Sequence, residues 1–347
     1  MGAQLRRTTL ALLGGLSLAA CSGTSADEGG TAGPDLGGSG GNGAGGAGGS
    51  GLSGGTGGGI VLDGGGATGD GGGGKSGCEK IDFLFIVDNS VSMENEQTQL
   101  VAAFPGFISA IENTVNAGGN YHVMVTDTDE WGRCNTKNPW TGIDPTSTTC
   151  NSYIKNTVFQ ECDRTLGAGV VNPAGAFASN KVCPFPAGRR FLQQGDANVS
   201  DAFACAAQVG TAGHSSERPM DALLAALAPG INATGGCNAG FLRDDALLVV
   251  TFISDDPNYE DKGTPDSWYS AVVAAKKGDP KAISMVGFTP VGCAGGGTTK
   301  GAHWSEFIQK FPFHLEAQVC ATDYVSTFTQ AVKLVDDSCD QYVPPIN

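Results

Sequence analysis

Two nearly unbroken apolar runs constrain the fold of this chain more than any other feature. KIDFLFIV ends at residue 87, and ALLVVTFIS ends at residue 254. Neither run alternates between apolar and polar residues, as a strand with one solvated face would. Each run therefore predicts a strand that is buried on both faces, and such strands are typical of parallel sheets covered by helices.

Further strands and helices alternate along the rest of the chain. The first helix carries Pro105, which predicts a kink or a delayed start. The alternation predicts an α/β fold, a three-layer, Rossmann-like arrangement with a mostly parallel central sheet and helices on both faces. The predicted strands are 80–87, 121–127, 246–254, 282–290 and a short edge strand at 315–319, and the predicted helices are 94–116, 220–227, 267–277, 303–311 and 323–335.

The chain before residue 78 has the composition of a targeting segment and a linker. Residues 1–20 have a short basic head and an apolar stretch that is too short to span a membrane, which is typical of a signal peptide. Residues 22–77 are about half glycine and contain no Phe, Trp or Tyr. Such a segment cannot bury enough apolar surface to offset its conformational entropy. We therefore interpret residues 21–77 as a disordered linker.

The signal peptide is followed by Cys21, in the sequence LAAC. This resembles the bacterial lipobox, whose cysteine is lipidated after cleavage; an ordinary signal peptide with a chance cysteine is the alternative. The resemblance implies a cell-envelope protein that is held to the membrane by its lipid. Ser22 is similar to the residue found in lipoproteins sorted to the outer membrane, where the protein would face the periplasm or the cell surface. A net charge of −15 makes nucleic acid and anionic membrane surfaces poor partners.

The cysteine content agrees with export. The chain has 11 cysteines, and if Cys21 is lipidated an even number remains, which predicts a set of disulfides in an exported protein. No two cysteines form a CxxC pair and the 4 histidines are scattered, so a structural zinc site is a weak alternative.

The predicted topology selects two of the disulfides. A helix of about 15 residues between Cys320 and Cys339 places them roughly 20 Å apart, which is too far for a disulfide. Cys78, before the first strand, and Cys339, after the last helix, fall on the lower edge of an alternating α/β sheet. Cys293 and Cys320 fall on the upper edge. We therefore predict the disulfides Cys78–Cys339 and Cys293–Cys320. The other six cysteines, of which five lie within residues 128–212 and the sixth is Cys237, are expected to pair among themselves.

Acidic and hydroxyl side chains follow the predicted strands. Asp88, Ser90 and Ser92 come directly after the first strand, and Asp255 follows the strand 246–254. Ligands of parallel α/β sheets bind beyond the carboxyl ends of the strands, and carboxylates that meet there repel unless a cation lies between them. Oxygen ligands of this kind favour Mg²⁺, with Mn²⁺ or Ca²⁺ as alternatives. Capping of the following helix by these residues is the other interpretation.

Other acidic residues at the same edge receive lesser roles. Asp127 ends the second predicted strand, and we expect it to support the ligands rather than to bind the metal. Asp256, Asp261 and Asp266 follow the strand 246–254, and we expect them to form a solvated acidic loop.

At these residues the chain resembles von Willebrand factor A (VWA) domains. DNSVS, residues 88–92, is similar to the DxSxS motif of their metal-ion-dependent adhesion site, and Asp255 matches the aspartate that the family places after a central strand. The loop GHSSERPMDALLAAL and the closing CATDYVSTFTQAVKLVDDSC are similar to VWA-domain lipoproteins of delta-proteobacteria such as myxobacteria. The resemblance covers residues 79–127 and 213–338.

The resemblance implies a VWA-like domain over residues 78–347 that is interrupted by an insertion at 128–212. The insertion is rich in cysteine and too long for a plain loop. We interpret it as a disulfide-stapled elaboration of the edge that carries the metal site.

The chain departs from the family at Glu217, which stands where the family has a threonine. As a ligand, Glu217 would add a third carboxylate to Asp88 and Asp255 and strengthen cation binding, since the charge of the ligands tunes affinity. The same charge would weaken the attraction of the metal for an acidic partner. The alternative is that Glu217 occupies the first turn of the next helix, where the helix dipole favours acids.

The resemblance implies a binding protein and not an enzyme. In the family a carboxylate of the ligand completes the coordination of the metal, so we expect divalent-cation-dependent binding of an extracellular or envelope protein or of a matrix component. A structural lipoprotein in which the metal only stiffens the fold is one alternative. A metal-dependent hydrolase is another, although only Glu217 and Asp256 are near enough to act as a general base and no histidine is placed for that role.

Overall fold

The computed structural model describes most of the chain from residue 78 onward. The described residues are 78–114, 120–129, 150, 152–213, 217–256, 260–294 and 300–345. The predicted signal peptide, Cys21, the linker and Cys134 lie outside them.

A six-stranded sheet forms the centre of the described structure, in the order β3-β2-β1-β4-β5-β6. All neighbouring strands are parallel except β2 and β3, which are antiparallel. The predicted α/β class with a mostly parallel sheet is therefore confirmed. The strands are β1 (Lys80–Val87), β2 (Asn120–Asp127), β3 (Leu192–Gln193), β4 (Leu247–Ile253), β5 (Ile283–Thr289) and β6 (Phe313–Gln318).

The helices follow the strands in the predicted alternation. The first helix begins at Glu94 and includes Pro105 in its interior, so the delayed start suggested by this proline is wrong. None of the helices in the described ranges has the length and apolar character needed to cross a bilayer. The α-helices of the described residues are α1 (Glu94–Thr114), α2 (Val199–Ala207), α3 (Pro219–Leu227), α4 (Pro229–Asn232), α5 (Pro265–Ala275), α6 (Ala302–Ile308) and α7 (Val325–Cys339).

Strand β1 separates two hydrophobic cores because its side chains alternate between the two faces of the sheet. Phe83 and Phe85 point into a core that also contains residues of α1, α2 and α7. Leu84 and Ile86 point into a second core, with residues of α3, α5 and α6. Each buried Phe or Leu side chain contributes about 1.5–3 kcal/mol. The apolar run that ends at residue 87 is thus explained by burial on both faces.

Part of the insertion belongs to the sheet and the core. Strand β3 adds an antiparallel edge next to β2, and Phe203 of α2 lies with its ring centroid 4.9 Å from that of Phe85. Residues 128–212 were expected to elaborate the metal-site edge; their described part also contributes α2, which covers one face of the sheet.

Four disulfides join described residues, and both pairs selected from topology are present. Cys78 bonds to Cys339, with their Cα atoms 4.8 Å apart. Cys293 bonds to Cys320, with a Cα separation of 5.9 Å. The other two are Cys162–Cys237 and Cys183–Cys205, as expected for cysteines of the insertion and its return; Cys150 is also disulfide-bonded.

Candidate metal centre

Asp88 lies at the carboxyl end of β1, and its backbone still belongs to the sheet. Its N–H donates to the carbonyl of Ile253 over 3.0 Å, so the chain turns away only after Asp88. The side chain is fully buried. Its Oδ1 accepts a 2.7 Å hydrogen bond from the backbone N–H of Ser90, and its Oδ2 accepts a 2.5 Å hydrogen bond from the Ser254 hydroxyl. The carboxylate is therefore held in one orientation. Neither donor lies in helix α1, whereas capping by Asp88 would require donors in that helix.

Ser90, Ser92 and Asp255 form a chain of polar contacts beside Asp88. The hydroxyl oxygens of Ser90 and Ser92 lie 3.4 Å apart. The Ser92 hydroxyl donates to Oδ1 of Asp255 over 2.8 Å. Ser90 is buried and Ser92 is exposed, so the polar cluster reaches from the interior to the surface. The structure thus brings together the four predicted ligands that follow β1 and β4.

Glu217 is fully buried, and its carboxylate is only half satisfied by hydrogen bonds. Its Oε2 accepts a hydrogen bond from the Thr128 hydroxyl. Its Oε1 has no hydrogen-bond partner among the described residues. Helix α3 begins at Pro219, and its first turn carries Asp221, so Glu217 precedes the helix and does not occupy its first turn.

Asp88 interacts electrostatically with both Asp255 and Glu217. Burial raises the pKa of Asp88 to about 7; hydrogen bonds from Ser254 and Ser90 oppose the rise, and the charge of Asp255 adds to it. Burial also raises the pKa of Glu217 well above its usual range, and the charge of Asp88 is the next cause. Negative side chains that are buried and adjacent are costly unless a cation compensates them.

Asp261 fastens the loop that carries Glu217. One carboxylate oxygen, Oδ1, accepts from the N–H groups of Met220 and Asp221, over 2.9 and 3.2 Å, at the start of α3. The other, Oδ2, accepts a 2.9 Å hydrogen bond from the indole N–H of Trp304. Burial raises the pKa of Asp261 to about 7. The expectation of a solvated acidic loop is therefore wrong for Asp261.

Asp256 and Asp266 were expected in the same solvated loop, and of the two only Asp266 is exposed. Asp256 is partly buried, and its Oδ2 accepts a 3.2 Å hydrogen bond from the backbone N–H of Glu217. Asp266 has an exposed side chain that pairs with Lys310 at 2.6 Å, as a surface carboxylate would. The loop after β4 therefore contacts the Glu217 segment through Asp256 and Asp261.

Gln97 connects helix α1, the end of the insertion and residues 88–92, which are the predicted metal-binding loop. Its Nε2 donates to the carbonyls of Asp88 and Gly210, over 2.9 and 2.8 Å, and its Oε1 accepts from the N–H of Gly210 over 2.9 Å. The chain continues to Gly213, whose N–H donates to the Asn89 carbonyl over 2.9 Å. A Cβ at Gly213 would lie 2.3 Å from the side chain of Asn89, so this close approach requires glycine.

The donor set fits a hard divalent cation. Asp88 and Asp255 supply carboxylates, Ser90 and Ser92 supply hydroxyls, and the unpartnered Oε1 of Glu217 is a further buried oxygen. Oxygen donors of this mixture suit Mg²⁺, Mn²⁺ or Ca²⁺. Across the described ranges, no group of three or more His, Cys, Asp or Glu side chains is arranged to hold a metal ion. The roles of Asp88, Ser90, Ser92, Glu217 and Asp255 as ligands stay predictions.

Fold and donors together define an α/β domain with a carboxylate–hydroxyl site at the carboxyl edge of a mostly parallel sheet. No family model matches the sequence, and no curated protein matches it. Among solved structures, the chain is similar to that of proximal thread matrix protein 1 (PTMP1) from the mussel byssus, which has a zinc-occupied MIDAS motif. The identity is 12% and the TM-score is 0.34, over 76% of this chain and 47% of that one, so the chain spans about half the length of PTMP1.

Several residues of the site were not expected from the sequence. The Thr128 hydroxyl donates a hydrogen bond to Glu217, which is 89 positions away in the sequence. The Ser254 hydroxyl donates one to Asp88, which is 166 positions away. Gln97 was likewise missed, and Asp261 was expected to lie in a solvated loop. Ser254 had a detectable signal, because it directly precedes Asp255 at the end of a predicted strand, but Thr128 and Gln97 had none.

Proposed function

We propose that the chain is an exported, lipid-anchored VWA-type binding module whose metal centre recruits a protein or matrix ligand. Asp88, Ser90, Ser92 and Asp255 hold a divalent cation, Mg²⁺ first, and Glu217 supports it from the buried side. The bound cation supplies a positive charge to which a carboxylate of the ligand binds. We propose no catalytic role, since the general-base candidates Glu217 and Asp256 are engaged by Thr128 and by the Glu217 backbone.

The buried carboxylate of Asp88 is the observation that carries this proposal. Among the described residues, the interactions that most favour its charged form are hydrogen bonds from Ser254 and Ser90, with no cationic side chain beside them. A buried carboxylate without a cationic partner is costly, so such groups are paired or coordinate metals. Its neighbours Ser92 and Asp255 extend the oxygen donors outward, where Ser92 is exposed. A cation bound there would be reachable from solvent, which a ligand carboxylate requires.

Metal binding and ligand binding are tested separately. Calorimetry of the EDTA-treated protein should show uptake of Mg²⁺ and Mn²⁺, and Asp88→Asn should abolish it. The loaded protein, immobilised, should then retain acidic peptides that EDTA releases. Metal uptake that raises the melting temperature without any EDTA-sensitive retention would instead support the structural alternative. Turnover of generic ester, phosphate or peptide substrates would revive the hydrolase alternative.

Anchoring is tested at Cys21. If the lipid holds the protein to the envelope, Cys21→Ser should leave the protein unlipidated and shift it from the membrane fraction to the soluble fraction. Ser22→Ala leaves the cysteine intact and serves as the control. Persistence of the cysteine variant in the membrane fraction would contradict the lipobox interpretation.

A further inference from the structure

Phe177 has an unusual backbone conformation and an exposed ring. Its φ is 57°, in the left-handed region, and 60% of the residue is exposed. Bulky residues seldom adopt this conformation, so the backbone at Phe177 is the unusual feature. Residues in rare backbone conformations persist where the surrounding structure holds them, and they cluster at functional sites.

The segment around Phe177, residues 175–180 and here called the Phe177 loop, is fastened at both ends. Asn180 receives the N–H of Gly175 at its Oδ1, over 2.9 Å, and donates from Nδ2 to the Gly175 carbonyl over 3.0 Å. The N–H of Ser179 donates to the Gln208 carbonyl over 3.0 Å, and its hydroxyl donates to the carbonyl of Cys205 over 2.8 Å. These bonds hold the loop rigid and keep the ring of Phe177 outside.

The Phe177 loop is connected to the metal-binding loop by a short path of hydrogen bonds. The N–H of Thr211 donates to the carbonyl of Ala176 over 2.8 Å, and two residues later the N–H of Gly213 donates to the Asn89 carbonyl over 2.9 Å. Gly210 packs against the same loop, since a Cβ there would lie 2.6 Å from the Ala176 carbonyl oxygen. The Phe177 loop is therefore linked through residues 211–213 to Asn89, the residue that follows Asp88.

The path length limits the distance between Phe177 and the metal centre. Three residue steps of about 3.8 Å and two hydrogen-bonded crossings of up to about 5.5 Å give an upper bound of roughly 22 Å between the Cα atoms of Phe177 and Asn89. An extended peptide of about six residues spans that distance. Val91, in the metal-binding loop, is 84% exposed and places a second apolar contact beside the predicted ligands.

We propose that Phe177 is a second recognition point for the ligand of the metal centre. The ligand is a protein segment with an acidic side chain, which binds the metal, and an apolar side chain within about six residues of it, which packs on the Phe177 ring. Charge complementarity with the bound cation selects the acid, and the exposed Phe177 and Val91 select an apolar neighbour. Aromatic residues, Phe among them, are enriched in protein interfaces relative to the rest of the surface. This inference rests on the proposed function.

Selection of random linear peptides displayed on phage tests the inference directly. The full chain, immobilised in Mg²⁺, is used to capture peptides that EDTA then elutes. We expect the eluted peptides to contain an acidic residue and an apolar residue at a fixed separation of no more than about six positions. Selection on Phe177→Asn should retain the acidic residue and lose the apolar preference. Asparagine tolerates the left-handed conformation, so this variant removes the ring without straining the loop.

Affinities of one selected peptide provide the matched comparison. Its affinity for Phe177→Asn should fall by about ten-fold or more, as for an aromatic residue at the centre of an interface. Phe177→Tyr, which keeps the ring, should bind the peptide as the native protein does. Val343→Asn should also be neutral, since Val343 is 79% exposed and follows α7 at the opposite edge of the sheet.

The outcomes separate this inference from the function on which it rests. EDTA-eluted peptides without a fixed apolar position, or with equal affinity for the native protein and Phe177→Asn, overturn the inference and leave the metal-dependent binding module intact. The absence of any EDTA-eluted peptide overturns both. Loss of binding in Phe177→Tyr as well as in Phe177→Asn, with melting temperatures lowered in both, would assign Phe177 to loop stability and overturn its role in recognition.

Discussion

Ser92 and Asp255 are 163 positions apart in sequence, yet the Ser92 hydroxyl donates a 2.8 Å hydrogen bond to the Asp255 carboxylate. This bond joins the loop after β1 to the loop after β4. The two strands are adjacent and parallel, so both loops leave the sheet at the same edge. A cation that binds Asp255 would therefore also meet the hydroxyls of the first loop.

Asp255→Asn should weaken metal binding without harming the fold. The asparagine oxygen can still accept the bond from Ser92, but one negative ligand charge is lost. We expect the affinity for Mg²⁺ to fall by at least about ten-fold, measured by calorimetry. The melting temperature of the metal-free protein should stay the same or rise, because the repulsion with Asp88 is relieved. Equal Mg²⁺ affinity in the variant would remove Asp255 from the site.

Glu217→Gln should raise the melting temperature of the metal-free protein and reduce the stabilisation that Mg²⁺ adds. The substitution keeps an acceptor for Thr128 and removes a buried carboxylate, so the melting temperature of the metal-free protein should rise by roughly 2–5 °C. The further rise on adding Mg²⁺ should be smaller than in the native protein. Thermal denaturation with and without Mg²⁺ measures both effects, and a native-like response to the metal would place Glu217 outside the site.

Glu217→Thr introduces the residue that VWA domains have at the corresponding position and should change ligand preference. With one negative charge fewer, the bound cation should attract an acidic peptide more strongly, while the cation itself is bound more weakly. Calorimetry of Mg²⁺ and of an acidic peptide on native protein and variant gives both affinities. A parallel decrease in the two affinities would show that the charge of Glu217 does not limit ligand binding.

Asp261→Asn should loosen the segment that carries Glu217. The amide cannot accept both the α3 N–H groups and the Trp304 indole N–H without turning a donor toward one of them. We expect a loss of about 1–2 kcal/mol in the free energy of unfolding, together with weaker Mg²⁺ binding. Asp266→Asn is the matched control, since that side chain is 85% exposed, and it should change stability by less than about 0.5 kcal/mol. Denaturant unfolding of both variants decides whether the effect is specific.

Stability at acidic pH should depend on His122. Burial and the charges of Arg243 and Arg189 lower the pKa of His122 to about 4, and its Nδ1 lies 2.9 Å from the Phe241 carbonyl. The unfolded chain therefore binds a proton more readily than the folded chain. Stability that is present above pH 6.5 should be lost as the pH falls from about 6.5 toward 4, by about 2–3 kcal/mol.

His122→Asn isolates this effect. The variant keeps a donor toward the Phe241 carbonyl and should lack the acidic loss of stability. Asp82, 3.5 Å from the imidazole, acts in the opposite direction, because burial raises its pKa to about 6. It is present in both proteins, so its contribution largely cancels in the difference. Parallel curves of unfolding free energy against pH for native protein and variant would contradict the prediction.

Features with a local signal were predictable from the sequence, and features made by distant contacts were not. The strands β1 and β4 are nearly unbroken apolar runs; Asp88 directly follows β1, and Asp255 lies two residues after β4. Strand β3 has two residues and no periodicity to detect. The partners of the ligands, such as Thr128 for Glu217, depend on which loops meet in space. Asp261 looked like a surface acid because its sequence neighbours are polar, whereas its indole donor comes from α6.

The position of β1 determines how the protein would carry mechanical load. The strand starts two residues after Cys78 and ends one residue before Asp88, and it is hydrogen-bonded to β2 and β4 along its whole length. Tension between a tether at residue 78 and a ligand held at the metal centre would act along the strand axis. The two ladders would then be sheared as a set of bonds loaded together, not opened one at a time. The Cys78–Cys339 disulfide passes part of that tension into α7, so the pull would be shared between the sheet and the helix that covers it.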